Sequence, residues 1–229
     1  MTDLLLKAFT KEVWDIIIPA IWETVYMTIV STTITTFFGL LFGIVLLITD
    51  KHGLHPIPLF NKVFGSIINA VLSLPSMVVI ILALPIAKLI VGITYGPKAC
   101  IISLTVVCIP IFSRLVENSI LEVSKGKIEA AKAMGASNID IIFKVMLPEA
   151  LPTLIRNFVV LTITLISITA IAGSFGAGGL GDIAVRYGYH RFRSDILIAA
   201  VLVLLVSVNL LQLFGALLAR KILKKRHLI

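Results

Sequence analysis

The sequence predicts an all-α integral membrane protein with five spanning helices. Three observations lead there. Hydrophobic residues make up 59% of the 229 positions and charged residues only 14%, where a soluble domain averages about 45–50% and about 25%. Mean hydropathy is +1.08, so lipid is the solvent this chain is built for. Five strongly apolar runs stand out, and a polar stretch separates the third from the fourth.

A spanning helix needs about 20 mostly apolar residues. Runs at 26–48, 66–91, 99–113, 154–172 and 196–218 meet that need, the third being short. Residues 1–23 form an N-terminal interfacial segment, 24–219 the membrane domain and 220–229 a basic tail. Asp3, Glu12, Asp15 and Glu23 speak against a signal peptide in the first segment. Trp14 and Trp22 suit either a helix lying at the membrane surface or a simple fraying helix.

Orientation follows from Lys and Arg. One set of loops, including the tail, holds thirteen cations and the other seven. The positive-inside rule places the richer set in the cytoplasm. The N-terminus is then outside, and the C-terminus and the long polar loop are cytoplasmic. Lys224, Lys225 and Arg226 suit contact with anionic lipid. The net charge of +8 resides in short loops and the tail, which points to membrane topology and not to nucleic acid.

In the polar loop, Ser124 can cap a helix over 125–134. Gly135 suits the left-handed position that ends it. Ser137 with Asp140 three residues on forms a capping-box pattern for a second helix, which Leu147-Pro148 then ends. Ala130, Ala131 and Ala133 leave the first helix slim, and Glu129 offers an anionic handle. Two readings stand: a hairpin that docks on another protein, or a helix that merely covers the bundle.

Within the spans, Ser31, Thr35, Gly39 and Gly43 recur every four residues, a face for close helix packing. Ser66, Asn69, Ser73 and Ser76 share one face of the second span, which Pro75 and Pro85 kink. Thr162, Thr169 and Gly173 share a face of the fourth, with Thr164 and Ser167 on another. Each stripe either lines a route for a polar solute or bonds neighbouring helices. No Asp, Glu or His of the kind a proton-driven carrier uses lies in the spans.

Several chemistries are excluded. The chain has no G-x4-G-K-[ST] phosphate loop, so it does not itself hydrolyse ATP. The four histidines lack metal-ligand spacing, and no Ser or Cys has a base partner. Cys100 and Cys108 lie in an apolar run and read as buried thiols. Gly176-Ala177-Gly178-Gly179-Leu180-Gly181 fits G-x-G-x-x-G but lacks the βαβ context of a dinucleotide site. It reads as a tight, flexible glycine turn where two subunits approach near the outer mouth. No cofactor and no metal are expected.

The loop spacing Glu129-Ala130-Ala131, Gly135, Leu147-Pro148 resembles the signature E-A-A-x3-G-x9-I-x-L-P of the permease subunits of ABC-type importers, with Val145 in place of Ile. The resemblance runs from about Trp22 to Leu218. It implies a type I ABC importer permease fold, in which this loop is the cytoplasmic helix that couples to an ATPase. The stretch Gly173–Asp182 and the following Arg186-Tyr187-Gly188-Tyr189-His190-Arg191-Phe192 are similar to methionine importer permeases. The glycine part also occurs in permeases for osmoprotectants such as betaine and choline.

The resemblance further implies a homodimer in the cytoplasmic membrane, two cytoplasmic ATPase subunits and an extracytoplasmic methionine-binding lipoprotein. ATP-driven alternating access then moves methionine past Asn69, Ser73, Ser76, Thr162, Ser167, Thr169 and Gly173. Rival readings are an osmoprotectant or another small amino acid as cargo, and a non-transporting membrane scaffold.

Overall fold

The computed structural model describes residues 6–225, without the side chains of Leu218 and of 222–225. The lipid contact expected of Lys224, Lys225 and Arg226 and the first five residues of the N-terminal segment lie outside the described part. The helices are α1 (Lys11–Thr49), α2 (Pro58–Leu72), α3 (Ser76–Val91), α4 (Gly96–Leu121), α5 (Lys125–Ala133), α6 (Asn138–Gly173), α7 (Gly179–Ile183) and α8 (Ser194–Lys225). No strand occurs among the described residues. Helices α1, α4, α6 and α8 are long and apolar enough to cross a membrane, and the bent pair α2–α3 meets the same test only when its two helices are taken together. Among the described residues this is the expected all-α architecture of membrane-spanning helices.

Three expectations are corrected. The second span is not one helix, because α2 and α3 meet at 111°. Pro75 takes φ −56° and ψ 134°, donates no hydrogen bond, and disfavours helix in Leu74. Ser76 therefore starts α3 and leaves the face it was expected to share with Asn69 and Ser73. Next, the N-terminal segment, read as a separate interfacial or fraying helix, is continuous with the first span. Trp22-Glu23-Thr24 contains no helix breaker, so the first span and the segment before it form one helix of 39 residues.

The third correction concerns Leu147-Pro148, which does not end the loop's second helix. The chain passes through a π-helical turn at Ile141–Met146, where the Leu147 N–H donates to the Ile142 carbonyl five residues back. Pro148 needs no acceptor for an N–H, and the wider turn before it makes room for its ring. The helix continues through Pro152 to Gly173, 36 residues in all.

The chain divides into two compact units that share its long helices. The first holds residues up to Ile34, Leu74–Cys108 and Thr162–Leu213. Its core sets Val13, Ile17 and Ala20 of α1 against Leu180 and Ile183 of α7 and Ile196, Ala199 and Ala200 of α8. One face of the N-terminal segment is thus covered by protein.

The second unit holds Thr35–Ser73, Ile109–Leu161 and the chain from Phe214 onward. Here the expected close packing of α1 is realised. A Cβ on Gly39 would stand 2.6 Å from Phe112 Cδ1, and one on Gly43 would stand 2.7 Å from the Ser113 carbonyl. Cys100 and Cys108, on α4, are both buried free thiols.

Candidate functional site

The polar loop lies wholly within the second unit and is built from its sequence signals. Helix α5 ends at the Met134 cap, and Gly135 follows at φ +81°. The Ala136 N–H donates to the Ala131 carbonyl at 3.1 Å, and the Gly135 N–H to the Lys132 carbonyl at 2.9 Å. This pair of bonds is a Schellman closure, which needs a left-handed residue at Gly135. Ser124 sits at the N-terminal cap position, but its hydroxyl makes no capping bond.

Ser137 does cap α6. Its Oγ accepts the Asp140 N–H at 3.2 Å, and its hydroxyl donates to the Asp140 carboxylate at 2.5 Å. Asp140 also pairs with Lys144 one turn on. The capping-box signal is therefore realised with the acid bonded to the hydroxyl.

Polar ties hold the loop to its own unit. The Lys127 ammonium lies 2.6 Å from the Glu149 carboxylate, joining α5 to α6. Asn138 Nδ2 donates to the Leu54 carbonyl at 3.2 Å. Further along α6, the Thr153 hydroxyl donates to Glu122 at 3.2 Å. Asn157 Nδ2 reaches Ser119 Oγ at 2.8 Å and the Leu115 carbonyl at 3.2 Å. Beside α5 is a cleft of about 410 Å³, with Leu47, Ile120, Ile128 and Met146 among its apolar lining and Glu129 and Lys132 among its charges.

The loop's outward surface is more apolar than its sequence suggested. Glu129, Ala130, Ala133 and Gly135 are exposed, whereas Ala131 is buried against the protein. Leu147 and Pro148 are half-buried. Met134, Ile139 and Phe143 are 82%, 69% and 63% exposed. These three were missed in the sequence, although Ile139 and Phe143 stand at i,i+4 and so share one helix face. A solvated loop has no reason to present such side chains together, and a docking surface does.

The residues considered for a solute route fall in different settings. Asn69 and Ser73 are exposed on α2, and the Ser73 hydroxyl donates to the Asn69 carbonyl at 2.8 Å. Ser76 is half-buried at the start of α3. On α6, Thr162 is half-buried and Ser167 exposed, its hydroxyl bonded to the Ile163 carbonyl at 3.1 Å. Thr169 is buried and donates to the Ile166 carbonyl at 2.6 Å. Gly173 is also buried, and a Cβ there would stand 2.3 Å from the Asp182 nitrogen.

Arg114 lies just past the apolar run at 99–113, yet α4 runs on to Leu121 and carries it within the helix. Its guanidinium donates to Glu117 at 2.6 Å, to Asn69 Oδ1 at 2.8 Å and to the Gly65 carbonyl at 3.3 Å. The short third run gave no sign of this extension.

In the first unit, the glycine turn is a packed junction. Glu23 Oε2 accepts the Gly179 N–H at 2.7 Å, and Thr24 Oγ1 accepts the Leu180 N–H at 2.9 Å. Gly178 and Gly179 have φ +82° and +76°. A Cβ on Gly178 would stand 2.6 Å from the Glu23 carboxylate, and one on Gly179 2.6 Å from Thr24 Oγ1. Gly181 backs onto Ala170, where a Cβ would stand 2.5 Å from Cα. The Gly176 carbonyl accepts the Gly96 N–H at 2.8 Å. Contacts within one chain thus account for the glycine requirement at Gly178, Gly179 and Gly181. Glu23, half-buried, counted in the sequence only as an acid against a signal peptide; its capping role spans 156 residues and leaves no local signal.

The comparisons agree with this architecture. The family of binding-protein-dependent transport system inner membrane components matches residues 39–224. The chain is 41% identical over 209 residues to the probable D-methionine transport system permease protein MetI of Vibrio cholerae, covering 91% of this chain and 92% of that one. It is 39% identical over 214 residues to the methionine import system permease protein MetP of Bacillus subtilis, covering 93% and 95%. A chain of the MetNI methionine ABC transporter, crystallised in inward facing conformations, superposes with a TM-score of 0.90 at 34% identity, covering 93% of this chain and 99% of that one. An amino acid ABC transporter crystallised with histidines shares the fold at a TM-score of 0.74 and 18% identity, covering 89% and 92%. This chain belongs to the family of binding-protein-dependent transport system inner membrane components, and is a multi-pass membrane protein.

Proposed function

We propose that this chain is the membrane-spanning permease subunit of an ATP-driven methionine importer. The cargo reading rests on the methionine transport permeases it resembles at 39–41% identity over nearly its whole length. The mechanical reading rests on one observation: a single 36-residue helix, α6, begins in the exposed loop and continues as a membrane span. Motion imposed on the loop can reach the span along one continuous run of helix, through the π-helical turn at Ile141–Met146.

Two copies of the chain form the route, and each receives a cytoplasmic ATPase on its α5–α6 loop. The N-terminus is outside and the C-terminus inside, as the distribution of Lys and Arg supports. The ATPase seats Met134, Ile139 and Phe143, and Glu129 gives the contact a fixed charge. ATP-driven closure of the paired ATPases shifts α5 and the start of α6 together, because Lys127 and Glu149 join them. The spans then exchange an inward-open for an outward-open arrangement. Methionine is delivered on the outer side by a binding protein. A route of hydroxyl, amide and aliphatic groups passes a zwitterion without holding it, and Asn69, Ser73 and Ser167 are exposed groups of that kind.

The test is transport by the complete complex in lipid vesicles, with ATP inside and the methionine-binding protein outside. ATP-dependent accumulation of labelled methionine supports the reading. Accumulation of betaine in its place keeps the permease and removes the cargo, while no ATP-dependent uptake of any solute removes both.

A further inference from the structure

The segment that joins α7 to α8 carries an exposed aromatic edge with no role in the fold. After α7 the chain forms a π-helical turn at Ala184–Tyr189, then reaches Phe192 at φ +55°, the one non-glycine residue with positive φ among those described. This left-handed geometry is unfavourable for a bulky side chain and persists only where the surroundings enforce it. Phe192 gains no burial in return, being 85% exposed, and Tyr189 beside it is 70% exposed.

The surroundings that enforce it are specific. Arg193 forks onto Asp195 with bonds of 2.7 and 2.9 Å, and its N–H donates to the Tyr187 carbonyl at 3.0 Å. Asp195 holds the Arg193 guanidinium more firmly charged than usual. Arg186 pairs with Asp182 at 2.6 Å. Gly188 is buried so closely that a Cβ would stand 2.8 Å from Leu197 Cβ. The Arg191 guanidinium lies 4.8 Å from the Tyr187 ring centre and has no carboxylate partner among the described residues. The segment thus presents two exposed aromatic rings and, in Arg191, a cation with no carboxylate partner among the described residues, held by these contacts.

Tyr and Arg are among the residues in which binding energy at protein interfaces concentrates, and Phe is enriched there. A preformed surface also avoids the cost of ordering on association. A lipid surface accepts aromatic side chains in many orientations and gives no reason to hold one in a strained conformation. A protein partner of fixed shape does.

We propose that Tyr189, Arg191 and Phe192 form the surface on which the extracytoplasmic binding protein docks, through an apolar patch bordered by carboxylates. The inference rests on the transport reading above, whose topology places this segment outside. The family's dependence on a binding protein supplies the partner.

The test titrates purified methionine-binding protein against the complete permease–ATPase complex in lipid nanodiscs and reads ATP hydrolysis. Phe192→Gly keeps the left-handed turn and removes the ring, so loss of folding is not an explanation for its effect. Phe192→Gly and Arg191→Glu are each expected to raise the half-stimulating concentration of binding protein at least tenfold, with hydrolysis in its absence unchanged. An unchanged half-stimulating concentration in both variants overturns the proposal while the transport reading stands. A wild-type complex that does not respond to binding protein overturns both. A second readout uses Phe192→Trp. Quenching of its fluorescence by brominated lipid, with no change on adding binding protein, assigns the edge to the bilayer and overturns the proposal. A spectral shift on adding binding protein supports it.

Discussion

The Lys127 ammonium on α5 stands 2.6 Å from the carboxylate of Glu149 on α6, the residue directly after Leu147-Pro148. Both side chains are about half exposed, and such pairs contribute about 0–1 kcal/mol to stability. Their value lies in making α5 follow the start of α6. Lys127→Glu alone is expected to leave thermal stability within about 1 kcal/mol of wild type and to lower methionine moved per ATP severalfold. Lys127→Glu combined with Glu149→Lys should restore that ratio. A double variant as poor as the single one removes the pair from the coupling path.

Gly135 tests the turn itself. Its φ of +81° is unfavourable for other residues, yet a Cβ there would meet nothing within 4 Å. The penalty is then purely conformational, about 1–2 kcal/mol for Ala and smaller for Asn. Uptake should follow the order Gly, Asn, Ala, Val, with the amount of inserted protein unchanged. Equal uptake across the series contradicts a requirement for the left-handed turn.

The exposed pair Ile139 and Phe143 is expected to carry the contact with the ATPase. Ile139→Asp or Phe143→Asp removes no buried packing, so the chain should still insert and purify. Recovery of the ATPase with it should drop at least tenfold. Full recovery of the ATPase with both variants assigns these side chains to some other contact.

Glu23 and Thr24 tie α1 to the glycine turn. Glu23→Ala leaves the Gly179 N–H without its acceptor, a loss of about 1–3 kcal/mol for a group out of water. Thr24→Val removes the second acceptor at similar cost. Glu23→Gln keeps an acceptor oxygen and should lie between Glu23→Ala and wild type. Thermal unfolding of the detergent-solubilised chain measures the order.

Exposure on the solute route can be read with a membrane-impermeant thiol reagent in the complete complex. Native Cys100 and Cys108 are buried, 4% and 0% exposed, so background is low. Asn69→Cys and Ser73→Cys should react at rates that change when ATP is added, and Thr169→Cys, 2% exposed in wild type, should not react. ATP-independent rates at Asn69 and Ser73 remove them from the moving route.

The sequence was most legible where one residue type answers one local demand. Gly135 after a slim helix, Ser137 with Asp140, and the apolar run at 196–218 each foretold their structure, because helix ends and lipid-facing helices are set by neighbouring residues. The fold misled where the outcome depends on which of two effects wins. Pro148 sits within a helix just after a π-helical turn, Pro85 and Pro110 sit within helices without one, and Pro75 stands at a break, so the residue type alone does not decide. The site was least legible where partners are far apart. Glu23 with Gly179 and Arg114 with Asn69 join distant residues, so no periodicity records them. Met134, Ile139 and Phe143 were hidden for another reason: hydrophobic side chains in a loop announce function only when seen to be uncovered.

The central claim is that the α5–α6 loop converts ATP hydrolysis into movement of the spans. The most direct measurement follows labelled methionine uptake and ATP hydrolysis together in vesicles carrying the complete complex, with wild type beside Gly135→Pro. Proline cannot adopt the +81° that this position requires. The account predicts that the variant inserts, loses at least tenfold in uptake, and no longer raises hydrolysis in response to methionine-loaded binding protein. Uptake and stimulation equal to wild type would contradict it.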